Sequence, residues 1–261
     1  MFAVCTFALT ACGRFGFAVS GDDASTGSDA PVVNGLCNRS SVADDPLTIT
    51  GHVFHYLDFV GNVEGLAGTV VAQTDPIGPL LTSTTAQTDG SFELSMTTQG
   101  TPQTVWLDVA LPGYFDTKYW FDYPLVHAIV GPYTPQIRPG DVPIWSGGSL
   151  DSVYSSGSVV RDDVGHGSLV VTVVDCNEQP IPDVTISVEP PLGTPTYLGS
   201  SGFFDMSATK TIDPYAQAVF LNESPGKVTV HATHASHTFL PYEVSVTTGP
   251  TISIVIIHSS E

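Results

Sequence analysis

Residues 167–191, GSLVVTVVDCNEQPIPDVTISVEPP, decide the fold of this chain. They begin with a run of β-branched side chains, and a polar turn follows at residues 175–179. After a Pro-Ile-Pro kink, Val184, Ile186 and Val188 alternate with polar residues. Alternation at a period of two, with β-branched residues, is typical of strands. The stretch therefore predicts a hairpin of two strands joined by a polar turn, which opens a small β-sandwich.

The rest of the chain follows the same pattern and shows no sustained helical periodicity. A length of 261 residues suits two domains of about 100 residues each plus a tether. We expect an all-β chain with two tandem antiparallel β-sandwiches. The predicted segments are a signal peptide (1–11), an acidic tether (12–37), a first sandwich (38–148), a linker (149–164) and a second sandwich (165–261).

The charge of the chain excludes one class of partner. The net charge is −19, with only seven Lys and Arg, and these do not cluster. A nucleic-acid partner requires a basic surface that releases phosphate counterions, so we expect none here. Electrostatic adsorption to anionic lipid is disfavoured for the same reason.

Short motifs in the first sandwich resemble a known family. In order they are Gly51-x-Val53, Ala67-Gly68-x-Val70, Thr88-Asp89-Gly90-x-Phe92 and Gly113-Tyr114. Over residues 47–114 this order resembles the carboxypeptidase regulatory-like domain, and residues 171–230 resemble it again. The resemblance implies a transthyretin-like (prealbumin-like) sandwich without catalytic residues, in accessory, adhesive or structural modules. The Asp-Gly pair predicts a hairpin turn, because Gly tolerates positive φ.

The N-terminal sequence predicts a targeting signal and a membrane anchor. Residues 9–12, LTAC, resemble the bacterial lipobox, in which the cysteine receives a diacylglycerol. The resemblance implies that Cys12 is acylated and holds the protein at a lipid bilayer of the cell envelope, with the outer membrane as the expected location. The folded part would then lie in the periplasm or at the cell surface. The alternative is an ordinary secretory signal cut near residues 18–20, and no charged residue precedes Arg14.

Two cysteines remain once the signal is cut and Cys12 is acylated. These are Cys37 and Cys176, and disulfides persist in the compartments that lipoproteins occupy. We therefore predict a Cys37–Cys176 bridge between the start of the first sandwich and the second one. The alternative is that the two cysteines lie far apart and stay reduced.

One histidine cluster is a candidate metal site. His231, His234 and His237 fall within seven residues, and neutral histidine is a ligand of zinc and copper. Positions i and i+3 of a strand face opposite sides, so only His231 and His237 would share a face. We expect solvated imidazoles and no cofactor. A metal-dependent enzyme on a prealbumin-like core stays open as an alternative that requires convergent imidazoles.

Aromatic residues suggest a second candidate site. Trp106, Tyr119 and Trp120 could stack on sugar rings as a carbohydrate-binding module. The competing interpretation, which we favour, is that these rings cover the sandwich and pack into the interface between the two domains. The sequence thus predicts a non-catalytic cell-envelope lipoprotein that acts as a binding or structural scaffold. Its candidate partners are the bilayer, an envelope protein and a polysaccharide.

Overall fold

Strands make up almost all of the regular structure. The computed structural model describes residues 41–56, 63–75, 78–130, 140–201 and 203–260. The first half contains β1 Leu47–Tyr56, β2 Val63–Gly65, β3 Val70–Thr74, β4 Leu80–Thr85, β5 Ser91–Met96, β6 Trp106–Ala110 and β7 Tyr114–Phe121. Short elements follow, namely β8 Ile129–Val130, β9 Asp141–Pro143, β10 Trp145–Ser146 and α1 Gly147–Ser156. The second half contains β11 Gly167–Val174, β12 Thr185–Glu189, β13 Thr196–Leu198, β14 Phe204–Asp205, β15 Gln217–Glu223, β16 Gly226–Thr233, β17 Tyr242–Val246 and β18 Thr251–His258.

The strands stack in three layers, which confirms the predicted all-β sandwich class. The middle layer is a ten-stranded sheet in the order β14-β13-β15-β11-β18-β7-β6-β3-β4, with β10 paired to β7. A five-stranded sheet of β1, β2, β5, β8 and β9 covers one face, and the three-stranded sheet β12-β16-β17 covers the other. Each of the two interfaces contains its own hydrophobic core.

The centre of the middle sheet is buried on both faces. Side chains alternate along a strand. Val170 of β11 and Ile254 of β18 therefore enter the core against the five-stranded sheet. Val171 and Val255 enter the core against the three-stranded sheet. β11 and β18 run parallel, and parallel strands covered on both faces have nearly continuous apolar sequences. This explains why the two strands show no clear division into a polar and an apolar face.

The C-terminal strand joins the two predicted sandwiches. β18 pairs in parallel with β11 over residues 252–258 and with β7 over residues 251–256. The segments predicted as 38–148 and 165–261 thus contribute neighbouring strands to one sheet, and their described residues belong to one compact unit, Val33–Glu261. Two hydrophobic cores therefore lie on the two faces of a sheet that both segments share.

Several successive strands lie in different layers, which corrects two predicted hairpins. β11 belongs to the middle sheet, whereas β12 pairs with β16 in the three-stranded sheet. Asp89 and Gly90 do form a turn, with Gly90 at a φ of 83°, but β5 after the turn pairs with β1 rather than with β4. The turn after β11 first folds back, with an antiparallel bridge between Val174 and Pro180 and with the Ile181 N–H donating to the carbonyl oxygen of Val173, and the chain crosses to the other layer after it. The chain after the Asp89-Gly90 turn also enters another layer.

The first half of the linker predicted at residues 149–164 belongs to the helix α1, which ends at Ser156. Ser146 is the N-cap of α1, and its side chain accepts a hydrogen bond from the first turn. Leu150 and Tyr154 are four residues apart, so both lie on the buried face of the helix and pack into the first core. The hydroxyl of Tyr154 lies 2.6 Å from Oγ of Ser168 on β11. This segment is therefore an ordered part of the core rather than a simple connection.

Two glycines of the motifs in the first half are required by close packing. A Cβ atom on Gly51 would collide with the backbone carbonyl of Gly140 beside it. A Cβ atom on Gly90 would collide with the carbonyl oxygen of Val53, and its positive φ also favours glycine. Glycine is therefore required for steric reasons at these two positions of the sequence motif.

Candidate functional site

Three titratable side chains that are far apart in the sequence meet at one end of the middle sheet. Asp122 follows β7, His258 is the last residue of β18, and Glu178 lies in the turn after β11. These three strands are parallel neighbours, so their carboxyl ends lie at the same edge of the sheet. We call Asp122, Glu178 and His258 the carboxylate–histidine cluster.

The imidazole of the cluster is enclosed by its partners. Nδ1 of His258 lies 2.9 Å from Oδ1 of Asp122, and the His258 backbone N–H donates to Oδ2 of the same carboxylate at 2.7 Å. Nε2 of His258 lies 3.7 Å from Oε1 of Glu178. The ring of Tyr123 packs edge-on against the imidazole, whose side chain is only 5% exposed. Carboxylates therefore face both ring nitrogens within a largely dry site.

The electrostatics of the cluster favour the charged imidazolium. Burial alone would lower the pKa of His258, but Asp122 and then Glu178 outweigh it and raise the pKa to about 9. Burial also raises the pKa of Tyr123 well above its ordinary value, and the carboxylates of Asp122 and Glu178 add to this. At neutral pH His258 is therefore protonated, and it has no free lone pair with which to act as a base or bind a metal.

The turn that contains Glu178 is held by hydrogen bonds within the turn and by contacts with other parts of the chain. The carboxylate of Asp175 accepts hydrogen bonds from the backbone N–H groups of Asn177 and Gln179, at 2.7 and 2.8 Å. Cys176 in the same turn is disulfide-bonded, and its Sγ lies 3.6 Å from the carbonyl oxygen of Ser259. The turn is thus held against the end of β18, where the carboxylate–histidine cluster lies.

The identity of the disulfide partner is a testable prediction, because Cys37 lies outside the described residues. We expect non-reducing peptide mass spectrometry of the mature protein to recover a Cys37–Cys176 peptide pair. Since the bridge would close a long loop of the unfolded chain, the chain-entropy estimate for Cys37→Ala is a loss of up to about 5 kcal/mol of unfolding free energy. Two free thiols, or a Cys176 peptide linked to another cysteine, would contradict the assignment.

The aromatic residues proposed as a glycan platform do not form one. Tyr119 is buried in the core against the five-stranded sheet, and Trp120 is buried in the opposite core. Trp106 packs on Trp120 with ring centroids 4.1 Å apart, and Nζ of Lys118 lies 5.6 Å from the Trp106 centroid. Tyr119 and Trp120 therefore pack the core, as the competing interpretation holds, and cannot stack on a sugar.

The structure brings together only part of the histidine cluster. The rings of His234 and His237 lie 5.0 Å apart, whereas His231 lies on β16 and faces Glu189 at 3.9 Å. Nδ1 of His234 accepts a hydrogen bond from the backbone N–H of Ser236. Within the described ranges, no group of three His, Cys, Asp or Glu side chains is arranged to hold a metal ion. The convergent imidazoles required by the enzyme alternative are therefore not seen at these three positions.

Sequence reasoning missed the carboxylate–histidine cluster. A titratable residue at the end of a strand was the available signal, since Asp122 directly follows β7 and His258 is the last residue of β18. The signal could not identify partners, since these residues are 136 positions apart in the chain. Cys12, the predicted lipidation site, lies outside the described residues. None of the helices in the described part is long and apolar enough to cross a bilayer.

Comparisons with known proteins found similarity only among solved structures. No family model and no curated protein sequence matches the chain. The Bacillus anthracis TIE protein is similar at 13% identity and a TM-score of 0.27, covering 82% of this chain and 34% of that protein. This chain thus spans about a third of that protein's length.

Two pilins are similar at the same low level. The shaft pilin SpaA of Lactobacillus rhamnosus GG has 8% identity and a TM-score of 0.25, covering 83% of this chain and 98% of the pilin. The minor pilin GBS52 of Streptococcus agalactiae has 8% identity and a TM-score of 0.27, covering 82% of this chain and 95% of the pilin. Similarity at this level assigns neither a family nor an activity to the chain.

Proposed function

We propose that this chain is a non-catalytic scaffold of the bacterial cell envelope, built from carboxypeptidase regulatory-like modules and anchored through an acylated Cys12. The observation that carries the proposal is the position of β18, which is paired on both edges and ties two cores into one block. Proteins that open around a substrate need elements of low local stability. A C-terminal strand buried at the centre of the molecule suits a rigid spacer or platform instead.

Two properties support an exported location. Cys176 is disulfide-bonded, and disulfides form and persist mainly in oxidising compartments outside the cytoplasm. The net charge of −19 favours solubility of the folded part in water beside a membrane. Both agree with the lipobox-like residues before Cys12, whose cysteine would attach the protein to the bilayer.

The chemistry of the buried cluster supports a structural role. A general base must be unprotonated near the working pH, whereas His258 has a pKa of about 9 and carboxylates at both ring nitrogens. The cluster instead fastens the end of β18 to the end of β7 and to the turn after β11. The packing needs of Gly51 and Gly90 support the modular resemblance in the first half.

The anchor is tested by acylation. Expressed in a bacterium from a start site that restores a basic N-terminal region, the protein should incorporate labelled palmitate and partition into detergent. Cys12→Ala should abolish both, whereas Cys5→Ala, which alters another N-terminal cysteine, should leave both unchanged. If the Cys12→Ala protein still incorporates label, the anchor is assigned to the wrong residue.

A further inference from the structure

β4 is the last of the described strands at one edge of the middle sheet. Within the described residues it pairs only with β3. Residues 82–85 keep a regular register with β3, and the irregularity of the pair lies nearer to Leu80. An edge strand presents unpaired N–H and C=O groups to solvent, and these can pair with another extended chain. β4 therefore offers a row of backbone groups to a further strand.

The other edge strands in the described part are short or carry an acidic residue. The acidic residues are Glu64 in β2, Glu93 in β5, Asp141 in β9, Glu189 in β12 and Glu243 in β17, while β8, β10 and β14 have two residues each. Charges and shortness are the usual means of blocking edge-to-edge pairing. β4 has the sequence LLTSTT, without a charge or a proline, and its Leu80 and Leu81 are 54% and 43% exposed. It is therefore the least protected of these edges.

The charged residues near β4 in the sequence favour one sign of charge on a segment that binds to it. Residues 63–96, which include β3, β4 and β5, contain four acidic residues and no Lys or Arg. The basic residue nearest along the described chain, Lys118, pairs with Asp108 at 3.0 Å. A second copy of this chain would bring the same acidic surroundings and a net charge of −19. Charge complementarity favours a partner with basic residues beside the pairing segment.

We propose that β4 is a docking edge at which an extended segment of another protein adds as a further strand. The segment has uncharged, β-branched residues where it pairs and Lys or Arg at its ends. Main-chain hydrogen bonds supply the affinity in this mode of recognition, and the flanking charges select the partner. The inference rests on the proposed scaffold function and names the chemistry of what the scaffold holds.

The test uses the full chain carrying Cys12→Ala, so that its outcome does not depend on acylation. The probe is the fluorescently labelled peptide KKTVTVTVKK, and binding is followed by anisotropy and by amide exchange of residues 82–85. We expect saturable binding that slows exchange at these amides. Ser83→Lys should weaken binding by about ten-fold or more, because lysine on an edge strand blocks pairing. Ser95→Lys makes the same change on the exposed face of β5, which is not the proposed docking strand, and should leave binding within about two-fold of the parent chain, since a single charge at the rim of an interface contributes little affinity.

Two control peptides separate strand addition from charge attraction. EETVTVTVEE should bind at least about ten-fold more weakly, because it meets like charges. KKTPPPTVKK has the same charge, and its consecutive prolines remove ladder donors from both edges of the peptide, so it should not protect the amides. Equal binding of the proline peptide, or an unchanged affinity in Ser83→Lys, would overturn the proposal. A dimer of the chain itself that Ser83→Lys dissociates would also overturn it, since the occupant would then be a second copy.

Discussion

Ile254→Asp should unfold both cores of the protein together. Ile254 is completely buried in β18, where it lies beside Val170 of β11 and Tyr119 of β7. A carboxylate there would lose its hydration without gaining a partner, and such changes cost more than about 4 kcal/mol. Whole domains are stable by only about 5–15 kcal/mol, so the variant should be largely unfolded or aggregated. Far-UV circular dichroism and urea titration measure the loss.

A matched substitution shows whether the loss of stability comes from the buried position of Ile254 rather than from the change to aspartate itself. Val164→Asp makes a similar apolar-to-acidic change at a residue that is 95% exposed, so unfolding free energy should shift by less than about 0.5 kcal/mol. A folded Ile254→Asp protein with normal urea stability would contradict the central place of β18.

The second large effect is a loss of stability at alkaline pH. His258 has a folded-state pKa of about 9, against 6.5 for the free side chain, which corresponds to about 3 kcal/mol of stabilisation. Because the folded pKa is raised, this stabilisation is fully present below pH 6.5 and is lost as the pH rises through 9. His258→Gln leaves the buried carboxylate of Asp122 without its cation and should cost about 3–5 kcal/mol at pH 6.

The difference in unfolding free energy between the parent protein and His258→Gln isolates this effect. Urea titrations at several pH values should show that difference shrinking between pH 7 and pH 10. His166→Gln removes the partner of Asp162 in an exposed pair and should change stability by less than about 1 kcal/mol at each pH. A parent-to-variant difference that stays constant to pH 10 would mean that His258 does not carry the charge.

Local patterns predicted the strands well but not their partners. The alternation at Val184, Ile186 and Val188 and the Asp89-Gly90 turn both appear where the sequence indicates them. Turn chemistry does not specify whether the following strand returns to its neighbour or crosses to another layer. That choice depends on contacts such as β5 with β1 and β12 with β16, which join residues far apart in the chain.

The candidate site was harder to predict for the same reason. His258 is the last residue of a strongly apolar strand, and nothing near it in the sequence indicates Asp122 or Glu178. Only the parallel placement of β18 between β7 and β11 brings the three side chains together. The aromatic residues illustrate the opposite case, since Tyr119 and Trp120 follow one another and point into different cores.

The shared sheet is the central claim, and hydrogen-exchange mass spectrometry across a urea series tests it most directly. β1 and β5 report on the outer five-stranded sheet, and β12 and β16 report on the outer three-stranded sheet. Because β18 belongs to both cores, peptides from the two outer sheets should lose protection at the same urea concentration, as in a single cooperative unit. Two well-separated midpoints, with one outer sheet protected while the other exchanges freely, would contradict a single block joined by β18.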